Sequence, residues 1–299
     1  MLSPALVLVT LILTGGAAST GGLSALSASG AQPAVVTPPA MSDAQKASLE
    51  RESAEMRTFF EWRYWIGFQP TAVQENWPRH YDSYLEQQGV SAADRAGRVA
   101  LLQQGTARFE IEMWNRRLTA AKPGFNTAPN AFLTRMLERL TPGRALDVGM
   151  GQGRNALHLA ATGWQVTGFD PADRAVATAQ RIADERKLPL RTVVAGSETF
   201  DWGAGAWDLV VCSYVTIRDD VTKIERALAP GGVVVVEAFH RDATKRQSIG
   251  GGVVYNTNEL LALFPNLRVL QYEDVEAPAD FSNGQTTRVV RLMAQRPPD

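Results

Sequence analysis

The sequence predicts an α/β fold: a doubly wound sheet of seven strands, one of them antiparallel, preceded by a helical extension. Three observations carry this expectation. From residue 144 onward, short apolar runs alternate with amphipathic stretches, the pattern of strands and helices in a sheet covered on both faces. The first run ends in Asp147 and gives way to three glycines at alternate positions, Gly149, Gly151 and Gly153. The next, Gln165-Val-Thr-Gly-Phe-Asp170, again ends in an acid. A strand, a turn without side chains and a helix N-terminus form the Rossmann-like arrangement that holds nucleotide-like ligands.

Taken in order, Ser42 suits the N-cap of a helix running to about Arg57. An aromatic-rich block follows, Phe59-Phe-Glu-Trp-Arg-Tyr-Trp-Ile-Gly-Phe68, then Trp77, Tyr81 and Tyr84. Trp62, Trp65 and Phe68 fall on one helical face, which suits core packing; the block could also cover a site. A further helix is expected from about Ser91 to Arg116. After the Pro142-Gly143 turn, strands are expected at about 144–149, 165–170, 190–195, 207–213, 233–239, 267–274 and 286–295. Helices fit at about 153–162, 171–187, 219–229 and 257–264. Val233 to Val236 is apolar throughout, as suits a strand buried on both faces, and Pro230-Gly-Gly232 reads as the turn before it. Residues 276–285 carry no helical period, so the last two strands form a hairpin and one runs antiparallel.

Only glycine takes a positive φ without steric cost and lets a backbone approach a ligand closely. Two ligand classes compete for the loop. A dinucleotide loop reads G-x-G-x-x-G; in that register Arg154 stands where the third small residue belongs, and the anionic Asp147 lies just upstream of the pyrophosphate. A cationic ligand without phosphates fits better. Its amino group can meet Asp147, while its carboxylate meets backbone N–H groups and Arg154. Asp170 can accept two hydrogen bonds from a ribose diol, and charge-assisted bonds are worth about 1.5–3 kcal/mol. As an acid before Pro171 it equally suits a helix start. S-adenosylmethionine is a ligand of this kind.

On these residues, Asp147-x-Gly-x-Gly-x-Gly153 resembles the first motif of the class I S-adenosylmethionine-dependent methyltransferases. Within that superfamily, Gly151 to Asp170 is similar to the tellurite-resistance methyltransferases and their relatives, and Pro129-Asn-Ala-Phe-Leu133 resembles the segment leading into their domain. The likeness covers about residues 113–299. It implies S-adenosylmethionine as cosubstrate, no metal, and methyl transfer to a small-molecule acceptor by in-line displacement. The reagent is already activated, so alignment is the main demand on the protein and can supply on the order of 7–11 kcal/mol. That group carries a His-Arg pair near its final hairpin. Here the region reads Ala277-Pro-Ala-Asp-Phe-Ser-Asn-Gly284, so neither the pair nor the group's substrate carries over.

Other candidates are expected at the carboxyl ends of the remaining strands. Family members often have an acid near 195 or 196; here it is missing or shifted to Glu198, leaving Ser197, Glu198 or backbone groups to meet adenine. Ser213 and Tyr214 end the fourth strand beside the expected methyl position. An aromatic face suits a sulfonium, though Tyr214 equally suits a core cap. Glu237, His240 and Arg241 end the fifth strand, where an acceptor would bind. His240 could act as a base or orient an anionic acceptor with Arg241, or be a surface histidine. The catalytic candidates are thus Tyr214, His240 and Arg241. The cosubstrate set is Asp147, Gly149, Gly151, Gly153, Arg154, Asp170, Ser197, Glu198 and Ser213. Trp114-Asn115 is placed to pack against or close over the cosubstrate, the loop 247–252 is flexible enough to gate the site or is simply a surface loop, and Cys212 reads as a core residue.

The chain has 299 residues, 45% of them apolar, enough for one α/β domain and an extension. Its net charge is −1, and without clustered Lys or Arg a nucleic-acid substrate is not expected. One cysteine and three scattered histidines offer no disulfide pair and no zinc-ligand spacing. Residues 1–42 carry no charged side chain, and Leu2 to Thr14 is an apolar run. It reads as signal-like, anchor-like or disordered: it lacks a positive n-region and is shorter than the roughly 20 residues of a membrane span. A cytoplasmic catalytic domain is expected, tethered to the membrane through residues 2–14 if that run inserts; export is the alternative. The expected division is 1–42, a helical aromatic-rich extension at 43–128 and the methyltransferase domain at 129–299. A non-catalytic S-adenosylmethionine-binding module competes with the enzyme, and an NAD-dependent oxidoreductase stands further off.

Overall fold

The computed structural model describes residues 34–245, 249, 251–282 and 284–298. The apolar run at 2–14, with the signal or tether read from it, and several residues of the 247–252 loop lie outside the described residues. The chain divides into two compact units, one reaching to Phe109 and one starting at Glu110. No helix among the described residues is long and apolar enough to cross a membrane.

The first unit holds α1 (Asp43–Leu49), α2 (Ala54–Ile66), α3 (Thr71–Glu75), α4 (Trp77–Gln87) and the start of α5 (Ala92–Leu118). The single helix expected over 42–57 is two. Ser42 caps α1 in a capping box, its hydroxyl accepting from the Gln45 N–H while the Gln45 side chain accepts from the Ser42 N–H at 2.8 Å. Ser53 is the N-cap of α2 and accepts from the Met56 N–H at 3.3 Å; its extended backbone cannot lie inside a helix, which is why the run breaks there. The aromatic block packs into a core of its own. Trp62 meets Trp77 edge-on at 5.1 Å and Trp65 lies 4.9 Å from Tyr81, with all four rings buried. Gln69 clasps the extended N-terminal segment, accepting from the Val36 N–H at 2.9 Å and donating to the Val36 carbonyl at 2.7 Å.

The second unit continues from the end of α5 through α6 (Ala131–Leu137), β1 (Arg144–Val148), α7 (Arg154–Ala161), β2 (Gln165–Asp170), α8 (Asp173–Arg186), β3 (Leu190–Val194), β4 (Trp207–Ser213) and α9 (Val221–Ala227). It ends with β5 (Leu228–His240), β6 (Val254–Tyr255), α10 (Glu259–Leu263), β7 (Arg268–Pro278) and β8 (Thr286–Gln295). The sheet runs β3-β2-β1-β4-β5-β8-β7, with β6 paired to β5 alone. β8 is antiparallel to both β5 and β7, so the expected reversal lies one strand in from the edge. The two-residue β6 is an addition that no sequence pattern announced.

Alternate residues explain the unbroken apolar strands. Ala145, Val211, Val233 and Val235 enter one core cluster with α6, α7 and α8; Leu146, Val210, Cys212, Val234 and Val236 enter another with α9 and α10. Both faces are covered, so no position is free to be polar. Pro230-Gly-Gly232 departs from expectation. It is a bulge inside β5, where the register jumps from Trp207↔Leu228 to Leu209↔Val233 and Gly231 takes φ 78°. Strand order reverses between β1 and β4, which puts the ligand crevice of such a sheet at their carboxyl ends.

Candidate functional site

The glycine loop leaves β1 at that crevice. Gly149, Gly151 and Gly153 take φ of 62°, 56° and 82°, the left-handed region that glycine alone enters freely. A Cβ on Gly149 would run into Val215, and one on Gly151 would lie 3.2 Å from Leu118. The sequence suggested that the glycines make room for a ligand. In the structure they set the turn and let two apolar side chains close on it.

Two carboxylates flank this loop. Asp147 is 2% exposed, and its Oδ2 has no hydrogen-bond partner among the described residues. Burial pushes its pKa up to about 7; Arg154 and the Ala156 N–H pull it down, and the charge of Asp170 raises it further. Asp170 is also buried. Its Oδ2 accepts from the Gly151 N–H at 3.0 Å and its Oδ1 from the Ala172 N–H at 2.8 Å. Desolvation raises this carboxyl as well, and those two backbone bonds oppose the rise. Asp170 therefore ties β2 to the glycine loop and to the start of α8, and each of its oxygens keeps accepting capacity.

A buried polar network closes the crevice from the other side. Arg154, the first residue of α7, pairs with Asp280 Oδ2 at 2.7 Å and donates to the Ala128 carbonyl at 3.1 Å. Asn130, the N-cap of α6, donates to Asp280 Oδ2 at 2.7 Å and to Glu237 Oε1 at 2.8 Å. Tyr214 takes φ 57° and donates its hydroxyl to Glu237 Oε1 at 2.7 Å, while Arg291 holds Glu237 Oε2 at 2.5 Å. Burial first, then the Glu237 and Asp280 charges, drive the Tyr214 phenol far above its usual range. Tyr214 is thus buried with its hydroxyl bound into this network, and the phenol keeps its proton near neutral pH.

His240 and Arg241 are placed elsewhere. His240 is buried rather than a surface histidine. Its Nδ1 accepts from the Asp242 N–H at 3.1 Å, and its Nε2 lies 3.1 Å from Thr257 Oγ1. Both ring nitrogens are thus engaged, Nδ1 by a backbone amide and Nε2 beside the Thr257 hydroxyl. Arg241 is exposed and donates to Asn256 Oδ1 at 3.2 Å. Ser213 is half-buried at the end of β4, in register with Glu237. Ser197 and Glu198 follow β3; the Ser197 carbonyl accepts from Trp202 Nε1 at 2.9 Å and Lys223 Nζ at 3.1 Å.

The sequence set Asn115 beside the cosubstrate and gave Asp280, Phe281 and Asn130 no role in the site. Asn115 caps α8, its Oδ1 accepting from the Arg174 N–H at 2.9 Å while its Nδ2 donates to Asp173 at 2.7 Å. Asp280 and Phe281 come from the β7–β8 connection, and Phe281 stacks on Phe125 at 5.0 Å. Asn130 alone carried a local signal, an Asn immediately before an apolar helical run. Among the described residues no group of His, Cys, Asp or Glu could hold a metal ion. An open groove lined by Arg144, Thr167, Pro189, Arg191 and Trp207 lies at the amino ends of the strands, the edge away from the crevice.

Residues 145–232 match the family described as a methyltransferase domain. The chain is 24% identical over 191 residues to Hemagglutinin 1 of Eikenella corrodens, covering 59% of this chain and 62% of that protein. It is 26% identical over 182 residues to the ubiquinone biosynthesis O-methyltransferase of Rickettsia conorii, covering 58% and 59%. The chain thus spans about three fifths of the length of these relatives. In fold it is similar to the N-methyltransferase NodS of Bradyrhizobium japonicum, solved with S-adenosylhomocysteine, with TM-score 0.50 and 20% identity over 62% of this chain and 98% of that one.

Proposed function

We propose that the unit starting at Glu110, which carries the methyltransferase-domain match at residues 145–232, binds S-adenosylmethionine at the glycine loop and transfers its methyl group to a small-molecule acceptor. One observation carries the reading: the buried Asp147 Oδ2 with no partner among the described residues. A bare buried acceptor costs about 1–3 kcal/mol, and a cationic ammonium is the donor that recovers it. A pyrophosphate would instead meet two buried carboxylates. Asp147 would hold the amino-acid end of the cosubstrate and Asp170 the ribose, while Ser197, Glu198 and Ser213 line neighbouring strand ends. When bound, S-adenosylmethionine supplies an electrophilic methyl group. The protein aligns the partners and excludes water; the apolar cluster of Leu118, Phe125, Ala172 and Ala175 suits the second task.

The name of the Rickettsia relative, an O-methyltransferase of ubiquinone biosynthesis, supports a small acceptor. Because the cosubstrate is made in the cytosol, this reading assigns the domain to that compartment, with residues 2–14 as a tether if they insert. Methyl-labelled S-adenosylmethionine incubated with the protein and panels of thiols, phenols, amines and chalcogen oxyanions tests the assignment. Label is expected in one acceptor class. Tight S-adenosylhomocysteine binding with no transfer to any class would make the domain a binding module instead.

A further inference from the structure

We propose that Asp280 stands on Arg154 in the position a ligand carboxylate would take, so that cosubstrate binding exchanges one carboxylate for the other. The inference rests on the reading above and adds how that site is regulated. Arg154 follows Gly153 directly and its side chain is 7% exposed; that of Asp280 is 9% exposed, and they meet at 2.7 Å. A guanidinium so enclosed needs an anionic partner, because a buried charge left alone is strongly unfavourable. Asp280 supplies that partner from the connection between β7 and β8.

The other bonds to the Asp280 carboxylate come from neutral amides. Asn126 Nδ2 donates to Oδ1 at 2.9 Å and Asn130 Nδ2 to Oδ2 at 2.7 Å. Arg154 meanwhile acts on the Asp147 carboxyl at the base of the glycine loop, lowering its pKa. An amino-acid ligand whose ammonium meets Asp147 brings its own carboxylate into the field of the same guanidinium. Two carboxylates on one buried arginine repel, and Asp280 is the one that can retire to its amides. The exchange also reaches the apolar wall of the site. Phe281, the next residue, stacks on Phe125 and packs against the cluster of Leu118, Ala172 and Ala175, and Leu118 is the side chain closing on Gly151.

Calorimetric titration separates the exchange from simple binding. S-adenosylhomocysteine carries the carboxylate; 5′-methylthioadenosine carries the same nucleoside without it. Asp280→Asn should bind S-adenosylhomocysteine at least fivefold tighter than the wild type and 5′-methylthioadenosine equally well, while Arg154→Gln should lose most of the preference for the first ligand. A folded Asp280→Asn protein that binds S-adenosylhomocysteine no tighter overturns the exchange. A measurement on the wild type removes any dependence on that variant folding. The amides of Asn126, which donates to the Asp280 carbonyl at 2.8 Å, and of Asp280, which donates to the Tyr214 hydroxyl at 3.3 Å, should exchange hydrogen faster with S-adenosylhomocysteine but not with 5′-methylthioadenosine. Slower exchange at both amides with S-adenosylhomocysteine contradicts the proposal. If the wild type binds neither ligand, the cosubstrate reading itself falls and takes the exchange with it; if both bind and Asp280→Asn changes nothing, the exchange alone falls.

Discussion

Asp147 and Asp170 stand at the ends of neighbouring parallel strands, and the charge of Asp170 adds to the burial that lifts the Asp147 carboxyl from 3.8 to about 7. A cation at Asp147 needs it ionised, so S-adenosylhomocysteine binding should release a proton below pH 7 and weaken about tenfold between pH 8 and 6. Asp147→Asn should flatten that dependence and bind weakly throughout. Titrations in buffers of differing ionisation heat read both effects.

The same group sets a stability trend. Between about pH 4 and 7 the folded chain keeps a proton on Asp147 that the unfolded chain has lost. Unliganded stability from this residue therefore falls as pH rises across that window and levels above 7. At pH 8 Asp147→Asn should stabilise the free protein by on the order of 1–3 kcal/mol. Denaturant unfolding of both proteins at pH 5 and pH 8 checks the sign, because the gain should shrink at the lower pH.

Gly149→Ala should be poorly tolerated. The residue sits at φ 62°, which costs an L-residue roughly 1–2 kcal/mol, and its new methyl would strike Val215. Loss of at least 2 kcal/mol of stability is expected, together with loss of S-adenosylhomocysteine binding. Thermal melts with and without the ligand measure the two together.

Asn115→Ala removes the acceptor for the Arg174 N–H and should cost about 0.5–2 kcal/mol, the usual worth of a helix cap. Asn115→Asp should not restore it, because Asp173 faces the same side chain at 2.7 Å and would then meet a like charge. Comparing the two variants by chemical unfolding distinguishes a cap from simple packing.

Tyr214→Phe removes a buried hydroxyl that donates to Glu237 and accepts from the Asp280 N–H. A stability loss of about 1–3 kcal/mol is expected. Methyl transfer should stay within about tenfold of the wild type, since the phenol is bound into the scaffold. A much larger fall in turnover in a folded variant would return Tyr214 to the catalytic group.

Much of this fold was legible because its signals are local. The seven long strands declare themselves as apolar runs bounded by turns, and the Asp147 and Asp170 ends follow from them. Ser42 was legible as a cap for the same reason. The split between α1 and α2 was missed although Ser53 carries the same signal, because the surrounding pattern stayed helical. β6 was invisible because two residues have no period. Asp280, Phe281 and Arg291 were unread for a different reason: only the antiparallel return of β8 beside β5 brings residues so late in the chain to Arg154 and Glu237. His240 is the converse: its place at a strand end is local, whereas its burial and its contacts with Asp242 and Thr257 are not.

Calorimetric titration of S-adenosylhomocysteine into the wild type and into Asp170→Ala at pH 8 tests the central claim most directly. One site per chain is predicted, weakened by about 1.5–3 kcal/mol in the variant, with no binding of NADH by either protein. Equal affinity in the two proteins, or NADH binding in place of S-adenosylhomocysteine, would contradict the account.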